Sequence, residues 1–226
     1  MNIEPIAYYS TKLCGKFGVP RQSGLIPELV GRVVFTQQYS NADALRGIEG
    51  FDYLWLVWGF SLNERKEGAW SPLVRPPLLG GNEHMGVFAT RSPFRPNPLG
   101  LSSVRLIAVE KDAGRLALVV AGADLADGTP VYDIKPYVTY SDAHPGARSG
   151  FVDEKEWKKL CVVFPDELRN VFDEEDYVAL YKLLKLDPRP QYHNDPQRVY
   201  GMPFGGYDVR FTVADGVLNV VDVAKV

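Results

Sequence analysis

The chain has 226 residues, enough for one good core or for a main domain with a small appendage. Its 46% hydrophobic and 23% charged residues are ordinary for a soluble globular protein, and its net charge of −3 excludes a uniformly basic nucleic-acid binder. Any RNA contact must then rest on local clusters, for which Lys12, Lys16, Arg21, Arg91, Arg95, Arg189 and Arg198 are available. The first nine residues lack a basic start and an apolar segment, so no export signal is expected. The longest apolar stretch, 53–60, is too short to span a membrane. Cys14 and Cys161 lie far apart in sequence, which argues against a disulfide framework, favours the cytoplasm and suggests two inert core thiols.

In chain order, residues 3–9 and 31–36 are β-rich runs bounded by turn residues. A short helical piece comes next at 41–46, with Asn41 or Ser40 as cap and Gly47 closing it. Residues 52–60 and 85–90 are further strands, 103–110 and 115–121 flank a hairpin loop at Lys111-Asp112-Ala113-Gly114, and 131–138 adds another. Short strands, tight connections and few helices predict a mainly β fold, with an antiparallel β-barrel over residues 1–140. Between Tyr140 and Gly150 the composition turns to Ser, Asp, Pro and Gly, marking a domain boundary. Beyond it, Leu168, Val171 and Phe172 recur at helical spacing behind Pro165-Asp166. A second helix carries Val178, Tyr181 and Leu184, with Asp173 as cap, and must stop before Pro188. A hairpin of 207–213 and 217–223 around Asp215-Gly216 completes a small α+β C-terminal domain over residues 151–226.

The most informative stretch is Arg91-Ser92-Pro93-Phe94-Arg95-Pro96-Asn97-Pro98-Leu99-Gly100. Its prolines fix φ and delete backbone donors, so it is extended and stiff. Such a segment either holds Arg91, Arg95 and Asn97 in place for a ligand or serves as a rigid connector. Other chemistries lack their motifs. Val87-Phe88 stands where a phosphate loop after Gly81 and Gly86 needs Lys and Ser or Thr, and no Gly-x-Gly-x-x-Gly comes after a strand. His84, His144 and His193 show no metal-ligand spacing, so no metal is expected.

The run from Gly86 to Gly100 resembles the central signature of the TsaA-like family. Val19-Pro20-Arg21-Gln22, Ala42-Asp43-Ala44-Leu45-Arg46-Gly47, Arg75-Pro76-Pro77-Leu78-Leu79-Gly80-Gly81, Asp127-Gly128-Thr129-Pro130, Asp133-Ile134-Lys135-Pro136-Tyr137 and Asp187-Pro188-Arg189-Pro190-Gln191-Tyr192 match in family order. The resemblance implies a tRNA methyltransferase that binds S-adenosylmethionine on its barrel domain and forms a homodimer. Carried over residue by residue, it implies cofactor contacts at Pro20, Arg21, Gln22, Arg91, Leu101, Leu125, Ala126, Asp127 and Gly128. Ser61 and Leu62 join them, although 61–69 departs from the family pattern, which commonly has His-Gln there. An arginine suits the carboxylate end of the cofactor through a bidentate pair but would repel its sulfonium. Asp127 can accept from an amino group or ribose hydroxyl, and it is equally a turn-former in Asp-Gly-Thr-Pro.

The implied substrate is the adenosine just 3′ of a tRNA anticodon, carrying an N6-threonylcarbamoyl group. Its N6 lone pair is delocalised, so attack on a methyl carbon needs tight positioning and loss of the N6 proton. No base for that proton is evident in the sequence. Asp187, Arg189 and Tyr192 are expected to position the modified base, Arg189 through the threonyl carboxylate; the same run also suits a rigid helix stop. Phe94, Arg95 and Asn97 are expected on the substrate side, with Phe94 and Tyr192 as stacking surfaces and Trp70 in the core. Two other readings stand beside this one: a methyltransferase of another substrate, and a non-catalytic barrel binding an adenine nucleotide through Arg91 and Asp127.

Overall fold

The computed structural model describes residues 2–15, 17–62, 70–81, 83–155, 157–189 and 195–226. In chain order the strands and helices are β1 (Ala7–Ser10), β2 (Val30–Phe35), β3 (Tyr53–Gly59), β4 (Leu73–Val74), β5 (Met85–Gly86), β6 (Leu99–Asp112), β7 (Arg115–Ala121), β8 (Pro130–Pro136) and α1 (Thr139–Asp142). The C-terminal elements are β9 (Cys161–Val163), α2 (Asp166–Arg169), α3 (Glu174–Lys185), β10 (Tyr200–Phe204), β11 (Tyr207–Ala214) and β12 (Val217–Lys225). The architecture is mainly β.

Six antiparallel strands pair as a closed barrel in the order β1-β2-β7-β6-β3-β8, with β1 bonded to both β2 and β8. Closure leaves no sheet edge to protect. Alternation sends Leu54 and Leu56 of β3, Leu118 and Val120 of β7, and Ala7 and Tyr9 of β1 into the barrel core. The hairpin of β6 and β7 turns at Ala113 and Gly114, both at positive φ.

The second sheet has the order β10-β11-β12-β9, with β9 parallel to β12. Asp215 and Gly216, at φ 49° and 77°, make the tight turn between β11 and β12. Helix α3 starts where the Asp173 side chain accepts from the Asp176 N–H. Ala179, Leu180, Leu183 and Leu184 form its buried stripe against Phe204, Phe211 and Leu218 of the sheet. No helix among the described residues is long and apolar enough to cross a membrane.

Several expectations need correction. Residues 85–90 are not one strand: β5 stops at Gly86 and a 3-10 turn takes Val87–Ala89, because Pro72 opposite Val87 has no N–H to carry the ladder on and the Val87 carbonyl accepts from the Thr90 N–H instead. The short helical piece expected at 41–46 is present, as a 3-10 turn over Ala42–Leu45 capped by the Asn41 side chain. Cys14 and Cys161 are exposed, not core thiols, because their neighbours Leu13 and Val162 take the inward positions. Trp70 is half exposed and stacks on Phe88 at 6.4 Å, outside both cores.

The excursion between β1 and β2 crosses to the other unit. Leu13, Ile26 and Leu29 are buried in the core around α3, and Lys12 and Glu28 pair with Asp176 and Lys182 of that helix. Truncating Leu13 to Ala therefore destabilises the C-terminal core, by about 2–5 kcal/mol. Chemical denaturation tracked by tryptophan fluorescence and backbone dichroism measures this.

Candidate active site

The excursion, the end of β3, the proline segment and the start of β6 enclose a cleft of about 400 Å³. Val19, Pro20, Arg21 and Gln22 form one wall; Trp55, Trp58, Phe60, Ser61 and Leu62 form another. Thr90, Arg91 and Arg95 come from the proline segment, Leu99, Gly100 and Leu101 from β6, and Asp124, Ala126 and Thr129 from the β7–β8 connection.

The proline segment is stiff for a second reason besides its rings. Three of its donors are satisfied locally: Thr90 Oγ1 donates to Val87 O at 2.9 Å, the Ser92 N–H donates to Thr90 Oγ1, and the Phe94 N–H donates to Ser92 Oγ. Arg95 turns back on its own loop and donates to the carbonyls of Thr90 and Ser92. Arg91 reaches outward and donates to Gln22 Oε1, joining the segment to the excursion.

Register explains the deep end. Trp58 stands opposite Gly100 across β3 and β6, and its ring lies where a side chain at Gly100 would be; a Cβ there would meet Trp58 Cε2 at 2.2 Å. The indole therefore passes over β6 and donates from Nε1 to the buried Ser102 Oγ at 2.9 Å. Ser102 in turn donates to Asp124 Oδ1. Phe60 packs edge-on against Trp58 with ring centroids 4.5 Å apart. Burial raises the Asp124 carboxyl above its ordinary value, and the Ser102 bond, backbone N–H groups and the Arg91 charge only partly oppose that.

Arg21 lines the cleft but is spent on the other unit. It donates to the carbonyls of Leu186 and Asp187 at 3.0 and 3.1 Å, past the end of α3, and its guanidinium lies 3.7 Å from the Trp157 ring centroid. Burial lowers its pKa, against the pull of Asp187.

Two profiles of the same family match this chain: the tRNA-methyltransferase O N-terminal domain over residues 8–143 and the TrmO C-terminal domain over residues 158–226. The chain belongs to the TrmO family. It is 39% identical over 213 residues to a tRNA (adenine(37)-N6)-methyltransferase of Escherichia coli, covering 91% of this chain and 90% of that protein. It is 38% identical over 231 residues to a putative S-adenosylmethionine-dependent methyltransferase, RcsF, of Pseudomonas aeruginosa, covering 99% and 97%. The crystal structure of TrmO from Pseudomonas aeruginosa superposes with a TM-score of 0.77 at 31% identity, over 99% of this chain and 98% of that one.

The expected site residues divide. Pro20, Arg21, Gln22, Ser61, Leu62, Arg91, Arg95, Leu101 and Ala126 share the cleft wall. Leu125 does not: it points into the barrel core at 1% exposure. Asp127 and Gly128 are also off the wall, and their hydrogen bonds tie the turn to the N-terminal segment. Asp127 Oδ1 accepts from the Thr11 N–H, and the Asp127 and Gly128 N–H groups donate to Leu13 O and Tyr9 O. Phe94 and Asn97 are exposed but do not line the cleft. Asp187 and Arg189 lie off the wall too and hold each other in a two-bond ion pair at 2.8 Å. Tyr192 lies outside the described residues, as does Lys16.

The cations also sort. Arg21, Arg91 and Arg95 converge on the cleft, Lys12 is paired with Asp176, and Arg189 and Arg198 face the Tyr200 ring at 5.9 and 5.4 Å. Among the described residues no group of three or more His, Cys, Asp and Glu side chains is placed to hold a metal ion.

The sequence reading missed Trp55, Trp58, Gly100 and Asp124. The signal for Asp124 was present: Gly122 breaks β7 at φ 78°, and Ala123 and Leu125 alternate into the core, which turns Asp124 the other way. Gly100→Ala pushes the Trp58 ring off Ser102 and costs about 1–3 kcal/mol. A lower melting temperature with a shifted tryptophan emission is the expected result.

Proposed function

We propose that this chain methylates N6 of the adenosine just 3′ of the anticodon in tRNA, using S-adenosylmethionine. The observation that carries the reading is the coincidence of the cleft with the TrmO signature: the signature-bearing loops at 19–22 and 90–101 are the ones that meet across it. When bound, S-adenosylmethionine supplies a methyl group already activated on a positively charged sulfur.

The residues present suit that group. Trp58, Phe60, Leu62 and Leu101 offer apolar surface to a purine, and the Arg91 guanidinium offers a fork to a carboxylate. Pro20, Gln22, Ser61 and Ala126 complete the proposed cofactor set, with Gln22 holding Arg91 in register. Arg21 is assigned a bracing role, since its donors are engaged with the carbonyls after α3.

On the substrate side, the C-terminal unit is assigned to the anticodon loop. The Asp187–Arg189 pair stiffens the turn that Arg21 grips, so it acts as a positioning unit for the RNA. Arg95 and Phe94, on the rim of the proline segment, are assigned to the RNA as well, Phe94 as an exposed stacking surface. The target adenosine carries a threonylcarbamoyl group in this reading, and the protein works as a metal-free homodimer in the cytoplasm.

Incubation with methyl-labelled S-adenosylmethionine and tRNA, with and without the threonylcarbamoyl group, tests the reading. Label entering only the modified tRNA is expected; label in both discards the modified substrate, and label in neither discards the activity. Arg91→Ala is expected to weaken S-adenosylmethionine binding about 10- to 100-fold by calorimetry, the loss of a charge-assisted bond pair.

A further inference from the structure

Methyl transfer to N6 leaves one proton to be removed, and the cleft wall offers few acceptors for it. Three of its lining side chains are arginines, which only donate, and Asp124 is its one carboxylate among the described residues. We infer that Asp124 accepts the proton that leaves N6 of the target adenosine; the inference rests on the methyl-transfer reading above.

The geometry supports this role over a purely structural one. Backbone alternation after Gly122 turns Asp124 out of the barrel core and into the cleft. Its Oδ1 is anchored by Ser102, which is itself held by the Trp58 indole, so the carboxylate is oriented by two buried groups on two different strands. The charged groups facing it are Arg91 from the proline segment, with Arg21 and Arg95 on the same cleft wall, while the buried Tyr9 hydroxyl of β1 approaches from the barrel side. Desolvation raises the pKa of the carboxyl and so makes its carboxylate more basic, while the Arg91 charge works against that rise.

In the step, the N6 lone pair forms a bond to the methyl carbon as the carbon–sulfur bond breaks, and the broken bond's electron pair stays on sulfur. The N6–H proton passes to the Asp124 carboxylate. A cation, an N–H and a carboxylate become a neutral thioether, an N-methyl nitrogen and a carboxylic acid, and the acid returns its proton to water. Atoms and charge balance without an outside reactant.

Asp124→Asn keeps the size and an oxygen for Ser102 while removing the base. Its melting temperature should equal or exceed that of the natural protein at neutral pH. The folded-state pKa is raised, so the carboxylic acid's stabilising contribution is present at low pH and lost as pH rises through that pKa. Methyl transfer should fall about 100-fold or more, and the acid limb of the pH–rate profile should vanish. Binding of S-adenosylmethionine and S-adenosylhomocysteine by calorimetry should stay within about threefold. Ser102→Ala removes a bond that favours the charged carboxylate, so the acid limb should move to higher pH with cofactor affinity retained.

Cofactor affinity lost in proportion to rate would make Asp124 a cofactor ligand and overturn the inference. An unchanged rate in Asp124→Asn, or an unchanged acid limb in both variants, overturns it alone. A natural protein that transfers no methyl group to either tRNA overturns it together with the functional reading.

Discussion

Leu13, Ile26 and Leu29 leave the barrel between its first two strands and pack into the core built on α3, and the cleft depends on that crossing. Burial of three such side chains contributes several kcal/mol, at about 1.5–3 kcal/mol each. It holds residues 19–22 above the barrel instead of letting them relax onto it. The partly exposed ion pairs Lys12–Asp176 and Lys182–Glu28 join the same crossing to α3 and add little energy. Arg21 then finds the carbonyls after α3, and Gln22 finds Arg91. Two units that meet through an apolar anchor thus present a polar loop at one place.

That place is electrostatically lopsided. Arg21, Arg91 and Arg95 face it with one described carboxylate, Asp124, in a chain whose net charge is negative. Concentrating cations in a walled cleft raises the local potential for an anionic ligand while the rest of the surface stays acidic. Bonds to neutral acceptors fix the three guanidinium groups in place and leave their charges intact: Arg95 to its own loop, Arg91 to Gln22, Arg21 to backbone carbonyls. The Trp58–Ser102–Asp124 chain supplies the opposite charge at a fixed point.

Much of the fold comes from local chemistry. The turn at Asp215-Gly216, the cap at Asp173, the helix stop near Pro188 and the β-rich runs of β3 and β7 all lie where the residues put them. Strands β9 and β10 were not visible in the same way. Cys161-Val162-Val163 is too short to show a period, and Tyr200-Gly201-Met202-Pro203-Phe204 carries a glycine and a proline that normally weaken a strand. Their order comes from pairing with β12 and β11, which is a long-range event.

The site shows the same division. The residues alone determined a stiff arginine-bearing segment, because proline geometry is local, and a family signature, because the signature is a string. Only the tertiary structure decided which of those residues face one another. It sent Leu125 inward, gave Asp127 and Gly128 to the N-terminal turn, paired Arg189 with Asp187 and placed Asp124 and Trp58 on the cleft wall. The physical reason is that a side chain's partner is set by register and by closure of the sheet, and both join residues such as Trp58, Ser102 and Asp124 that no local pattern connects.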